Sequence, residues 1–174
     1  MNWKELIKSE IESGYGASEK LVSKADDQML GWKPSTGSNW MTMGQLLMHL
    51  SSSCGAAFKG FATGDWGMPE GVDPSKLPPE EMLPPAEKMP TIASVAETRK
   101  ALLEDKKAAL EILNQCSEQD LAQKPALAPW DPTPMILGQR LLQMVEHLKA
   151  HKGQLFYYLK LQGKSVNTGD YWGM

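Results

Sequence analysis

The sequence predicts an all-α protein folded as a four-helix bundle. Leucine, methionine and alanine supply much of its apolar content, and long runs of β-branched residues are missing, which favours helices over strands. Four segments carry apolar residues at helical spacing, and three of them begin with the spacing of a capping box. One long proline-rich stretch separates the second segment from the third, as in a bundle whose chain crosses over between two helices.

The first helix is predicted to begin after Asn2, because Asn2 and Glu5 have the spacing of a capping box. Gly14 and Gly16 are expected to weaken this helix locally, since glycine is a poor helix former. Its apolar spacing resumes at Leu21. A loop rich in proline, glycine, serine and asparagine then leads to the second helix.

The second helix and the connection after it decide the topology. Thr42 and Gln45 repeat the capping-box spacing and predict a helix that runs to about Thr63. Residues 64–90 should be extended or irregular, because proline removes backbone donors and resists helix. A connection of this length could return the chain to its starting end, so that the second and third helices run parallel. The prolines of this crossover are Pro69, Pro74, Pro78, Pro79, Pro84, Pro85 and Pro90.

The third and fourth helices complete the predicted bundle. Ser94 and Glu97 have capping-box spacing at the start of a third helix, which is expected to end near Asn114. Thr133-Pro134 is a suitable N-cap and first-turn pair for the last helix, which is expected to reach about Leu161. No internal repeat is visible, so residues 1–174 are expected to form a single domain.

Composition excludes several classes of partner. The formal net charge is -3 with acids and bases interspersed, so the concentrated basic surface of a nucleic-acid-binding protein is missing. No apolar stretch approaches the roughly 20 residues that span a bilayer, and no hydrophobic signal core follows the N-terminus. Cys54 and Cys116 match no metal or redox spacing. We therefore expect a soluble cytoplasmic protein with two reduced thiols and no membrane partner.

The chain contains only three histidines, and their positions suggest a metal site. His147 and His151 are four residues apart on one face of the last helix, with Cβ atoms about 5–6 Å apart. Two imidazoles at that spacing can converge on one metal ion. His49 lies in the second helix, beside the apolar stripe. The spacing alone leaves open that all three are surface or core histidines and that the pair arose by chance.

Polar residues that share the helical azimuths of these histidines are candidates for lining a pocket. On the second helix the neighbours are small or polar, which leaves room for an ion and a ligand. An arginine two turns before His147 is a candidate for holding an anionic group, although surface arginines are commoner. A tyrosine could donate to a ligand or simply pack. The candidate lining residues are Gln45, Ser53, Arg140, Gln154 and Tyr158.

Several motifs along nearly the whole chain resemble the DinB/YfiT-like superfamily of small bacterial metalloproteins. A single upstream histidine followed by an H-x-x-x-H pair, in this order, is the most specific of them. The motifs are Gly31-Trp32-Lys33-Pro34, Gly37-Ser38-Asn39, Met43–Leu50, and 145–155 followed by Tyr158-Leu159.

The resemblance implies an up-down-down-up four-helix bundle in which His49, His147 and His151 form a metal triad. Zinc or nickel is the ion that we expect first, with iron or manganese next, although imidazole suits copper as well; the resemblance itself implies a divalent metal ion. It also implies a homodimer, and members of known function are commonly thiol-dependent transferases or isomerases. The resemblance to this family carries no implication of DNA binding.

Three neutral imidazoles satisfy only part of the coordination of a divalent ion, so positions remain for water, thiolate or substrate. The leading hypothesis is therefore a metal-dependent transferase or hydrolase that acts on a small molecule. In the transferase case, a low-molecular-weight thiol cosubstrate is implied by the family resemblance alone. The alternative is a non-catalytic bundle that binds a metal or small ligand in a stress response.

Overall fold

The helices of the protein confirm the all-α prediction. The computed structural model describes residues 2–73, 76–78, 81 and 83–174. Within these residues there are seven α-helices, two 3-10 turns (Asp27–Met29 and Ala86–Lys88) and no named β-strand. The α-helices are α1 (Trp3–Val22), α2 (Met43–Leu50), α3 (Gly55–Thr63), α4 (Val95–Gln115), α5 (Glu118–Gln123), α6 (Leu137–Leu161) and α7 (Thr168–Trp172).

Helices α1 and α4 begin where their caps predict. The side chain of Asn2 accepts the N–H of Glu5, and Glu5 accepts the N–H of Asn2 in return. Ser94 caps α4 by accepting the N–H of Glu97, while the carboxylate of Glu97 accepts from Ala93. These side chains satisfy N–H groups that have no partner within the helix, so each helix start is encoded by its own residues.

The expected weak point in α1 is absent, since this helix is continuous from Trp3 to Val22. A Cβ atom at Gly14 would lie 3.3 Å from the side chain of Leu148. Glycine at this position therefore lets α1 approach α6 closely, and the tight packing outweighs the lower helix propensity of the residue.

The prediction of one continuous second helix to Thr63 is wrong. Helix α2 ends at Leu50 and α3 begins at Gly55. The hydroxyl groups of the serines at 51–53 donate to carbonyls of the preceding turn, which competes with continuing the helix. The N–H groups of Cys54 and Gly55 are bound by Asp105, a residue of α4. The break is thus stabilised from a distant part of the chain.

The last helix also begins later than predicted, after Ile136 instead of Thr133. The preceding residues are held in extended backbone, because Ala126 donates its N–H to the carbonyl of Met135 at 2.9 Å. Leu137 likewise donates its N–H to the carbonyl of Lys124 at 2.8 Å. Pairing with residues 124–126 therefore prevents a helical turn at the proline.

The connection over residues 64–90 is described in part. Pro74 and Pro79 lie outside the described residues. Most of the described residues lie in extended backbone, bends or turns, as predicted, but Lys76 and Ala86–Lys88 have 3-10 conformation and Glu81 is helical. The end of the connection is fixed to the loop before α2, because Ala86 donates its N–H to the side chain of Asn39 at 2.8 Å.

The hydrophobic core lies where five of the helices meet. Helix α1 packs on α4 and α6, α3 packs on α4 and α6, and α2 packs on α6. Burial of this apolar surface supplies the main favourable free energy of folding. The core includes Ile7, Ile11, Leu46, Leu50, Phe58, Leu102, Leu113, Leu141, Leu148 and Leu155.

The C-terminal residues dock on α1 and α6. The ammonium of Lys152 donates to the carbonyl of Tyr171 at 2.9 Å and lies 4.0 Å from the centre of the Tyr171 ring. This cation–π contact holds α7 against α6. Among the described residues, no helix has the length and apolarity required to cross a bilayer.

Candidate metal centre

The three histidines of the chain meet at one point between α2 and α6. His49 lies in the last turn of α2, and His147 and His151 lie one turn apart in the middle of α6. The centre of the His49 ring lies 5.0 Å from that of His147 and 4.3 Å from that of His151. We call these three residues the histidine cluster. The structure thus brings together the three residues that the sequence singled out.

The spacing of the ring nitrogens fits a single ion. The Nε2 atoms of His49 and His147 are 3.0 Å apart, and one ligand nitrogen from each histidine lies within 4.8 Å of the others. Nitrogens bound tetrahedrally to one metal ion lie about 3.3 Å apart, given metal–nitrogen bonds of about 2.0–2.1 Å. The separation of 3.0 Å is close to that value and the remaining ligand nitrogens lie within 4.8 Å, so the donor set fits a divalent ion.

The electrostatics of the histidine cluster keep its imidazoles neutral. Burial, together with the neighbouring rings of His151 and His147, lowers the pKa of His49 to about 4. Burial and the ring of His151 lower the pKa of His147 to about 4 as well. Burial also lowers the pKa of His151. At neutral pH the lone pairs of these rings are therefore available for a cation.

One imidazole is held by a neighbouring side chain. The Oε1 atom of Gln154 lies 2.8 Å from Nδ1 of His151, one turn further along α6. The spacing of three residues along α6 places the two side chains on adjoining turns, which brings them together.

Asp105 is a supporting residue that the sequence reasoning missed. Its carboxylate accepts the N–H groups of Cys54 (3.0 Å) and Gly55 (2.8 Å) and the hydroxyl of Tyr15 (2.5 Å). Burial raises the pKa of Asp105, against the opposing effect of these hydrogen bonds. The available signal was its helical spacing, since Asp105 lies three residues after Leu102 on the buried side of α4.

Comparison with known proteins identifies the family. A family model described as the DinB superfamily matches residues 10–155. The chain belongs to the DinB superfamily. A DinB-like protein from Bacillus subtilis is 18% identical, with a TM-score of 0.65 over 92% of this chain and 94% of that chain. A DinB-like protein from Bacillus cereus is 15% identical, with a TM-score of 0.67 over 94% of this chain and 95% of that chain. A search of curated proteins found no significant match.

Two predicted lining residues of this DinB superfamily protein support the ends of α2. Gln45 completes a capping box with Thr42 and donates to the carbonyls of Ala86 (2.8 Å) and Met89 (2.9 Å). Ser53 donates its hydroxyl to the carbonyl of His49 at 2.9 Å. Both residues fix the backbone that carries His49, and their contact with a ligand stays a prediction.

Arg140 lies fully buried, and its guanidinium is bound by the loop at residues 124–136. It donates to Asp131 Oδ2 at 2.8 Å, to the carbonyl of Thr133 at 2.6 Å and to the carbonyl of Ala126 at 3.1 Å. Hydrogen bonds from Thr133 and Arg140 lower the pKa of Asp131 to about 2. Arg140 therefore anchors this loop, and its predicted place in the pocket stays a prediction.

Tyr158 holds the loop that precedes α2. Its hydroxyl donates to the carbonyl of Met41 at 3.0 Å. Its ring makes edge contacts with Trp32 and Trp40, with ring centres 5.3 and 6.4 Å away. Tyr158 follows His151 by two turns of α6, so the loop and the histidine cluster are fixed by the same helix. The contact of Tyr158 with a ligand also stays a prediction.

Proposed function

We propose that this protein binds one divalent metal ion through His49, His147 and His151 and uses the site for metal-dependent transfer or hydrolysis of a small molecule. The observation that carries the proposal is the convergence of three neutral imidazoles from two helices, with ligand nitrogens within 4.8 Å of one another. Membership of the DinB superfamily is consistent with such a site.

The donor set supports an open site. Three histidines would occupy three coordination positions, and no other His, Cys, Asp or Glu of the described residues belongs to this group. A divalent ion held in this way supplies Lewis-acid activation of a water molecule or a thiol at an open position. The neutral rings bind without adding negative charge, and Gln154 orients the ring of His151.

The metal we expect first is zinc or nickel, because imidazole suits both ions. Iron is the next choice on the same ground, and manganese follows because it prefers carboxylate and other oxygen ligands.

We further propose an up-down-down-up bundle of four helical segments, with residues 1–174 forming one domain and residues 64–90 as the crossover. The packing of α1, α4 and α6, and of α2 on α6, supports this topology. The use of a low-molecular-weight thiol, assembly as a homodimer and a cytoplasmic location are parts of the same proposal. The first two have support only from the family resemblance.

Metal analysis of protein purified without a histidine tag tests the core of the proposal. We expect about one divalent ion per chain, and we expect His147→Ala to lose it because one of three ligands is removed. Glu146→Ala is the matched control, since Glu146 is exposed and contacts Lys149. Metal content that is unchanged in His147→Ala would contradict the proposal.

A turnover assay then separates catalysis from simple binding. The metal-loaded protein is offered a panel of small electrophiles with a low-molecular-weight thiol or with water alone. Turnover that requires both the metal and His147 supports the transferase or hydrolase. Metal binding without any such turnover would leave a non-catalytic binding protein.

A further inference from the structure

Gln154 forms a hydrogen bond with a ring nitrogen of the histidine cluster. Its side chain is exposed, yet its Oε1 atom faces Nδ1 of the half-buried His151 at 2.8 Å. The two residues are three positions apart in α6, which places their side chains on adjoining turns. A long helix therefore holds both partners of this hydrogen bond in register.

The contact fixes the tautomer of His151. A neutral imidazole carries one N–H, and the nitrogen without hydrogen is the one that binds a metal ion. Since the amide oxygen accepts from Nδ1, the free lone pair of His151 is on Nε2. The contact between His49 and His147 also involves their Nε2 atoms. Gln154 thus leaves His151 with the same type of nitrogen available.

The other two histidines lack an equivalent partner in the part of the chain that the structure describes. The polar contact described for the rings of His49 and His147 is the one between their own Nε2 atoms, 3.0 Å apart. In metal sites, the groups that bind the second ring nitrogen set ring orientation and ligand basicity. Among the described residues, His151 is therefore the histidine of the cluster whose second ring nitrogen is bound by a neighbouring side chain.

We propose that Gln154 is a positioning residue of the metal site, which holds His151 as the Nδ1–H tautomer with Nε2 free to bind the ion. This inference rests on the proposed metal function, but the tautomer can be measured without metal. Because Gln154 is exposed, its removal leaves the core and the other ligands in place.

Two substitutions of Gln154 should have different effects on zinc affinity. Gln154→Leu removes the acceptor, and we expect zinc affinity to fall about 10-fold, as for other partners of metal-bound histidines. Gln154→Glu keeps an acceptor, so zinc affinity should equal or exceed that of the native protein. Gln119→Leu is the matched control, because Gln119 is an exposed glutamine on α5.

Two measurements test the proposal. Competition with a chromophoric chelator gives the zinc Kd of each variant. Correlation of ring protons with ring nitrogens by NMR, on metal-free protein at pH 7.5, gives the tautomer of His151. We expect Nδ1–H in the native protein and in Gln154→Glu, and a mixture of tautomers in Gln154→Leu. A role of Gln154 limited to helix stability would leave the tautomer unchanged.

An unchanged tautomer or an unchanged zinc Kd in Gln154→Leu would overturn the role of Gln154. Failure of the native protein to bind zinc or any other divalent ion would instead overturn the proposed function. Far-UV circular dichroism of both variants checks that the helices are retained. The two failures are therefore distinguishable.

Discussion

Helices α6 and α2 supply histidines to the same cluster, but different interactions hold them in place. Helix α6 is a continuous helix of 25 residues, and the spacing of His147 and His151 follows from its own geometry. Helix α2 has 8 residues and is fixed at its start by Gln45 and at its end by the serine turn and Asp105. A local pattern thus places two ligands, while contacts from distant residues place the third.

The largest effect is expected where α2 depends on α4. Asp105→Ala would leave the N–H groups of Cys54 and Gly55 and the hydroxyl of Tyr15 without their acceptor. We expect the free energy of unfolding to fall by about 3 kcal/mol, because three buried donors would lose their acceptor. Zinc affinity should fall as well, since the turn that follows His49 is loosened. Chemical denaturation and chelator competition measure the two effects.

The control for this substitution is Glu104→Ala at the neighbouring position. Glu104 is exposed and pairs only with Lys100 at 3.9 Å among the described contacts. A surface change of this kind should alter stability by less than about 0.5 kcal/mol. If Asp105→Ala behaved like Glu104→Ala, the dependence of α2 on α4 would be refuted.

A smaller effect is expected at the start of α2. Gln45→Ala removes one half of a capping box and the two bonds to the carbonyls of Ala86 and Met89. We expect a loss of about 1–2 kcal/mol in the free energy of unfolding, because caps contribute about this much. Thermal unfolding of the variant beside Gln119→Ala measures it. Equal melting temperatures would show that these contacts do not hold α2.

The smallest effect concerns the low histidine pKa values that α2 and α6 share. The pKa values of His49 and His147 are both about 4 in the folded protein, below the unfolded value of about 6.5. The unfolded chain therefore binds more protons between these values, and the stability present above pH 6.5 is lost as pH falls toward 4. We expect a loss of about 1 kcal/mol for metal-free protein, reduced by the partial exposure of the rings.

Denaturant unfolding at pH 7 and pH 5, with a chelator present, tests this pH dependence. The native protein should lose more stability between the two values than His147→Gln, which lacks one of the titrating rings. An equal loss in both proteins would mean that His147 is not held neutral by its surroundings.

The sequence determined the features that depend on neighbouring residues. The caps at Asn2 and Ser94 start their helices as expected, because an N-cap acts within one turn. The spacing of His147 and His151 fixed their common face for the same reason.

The tertiary structure decided the features that depend on residues far apart in the chain. Asp105 binds the start of α3 across about 50 positions of sequence, so the local serine run at 51–53 carries only part of the signal for the break after Leu50. Residues 124–126 pair with the segment before Leu137 and delay the last helix. The distance from His49 to His147 belongs to the same class, because it depends on how α2 packs on α6. Helical periodicity acts over a few residues, whereas the meeting of two helices depends on the burial of the whole core.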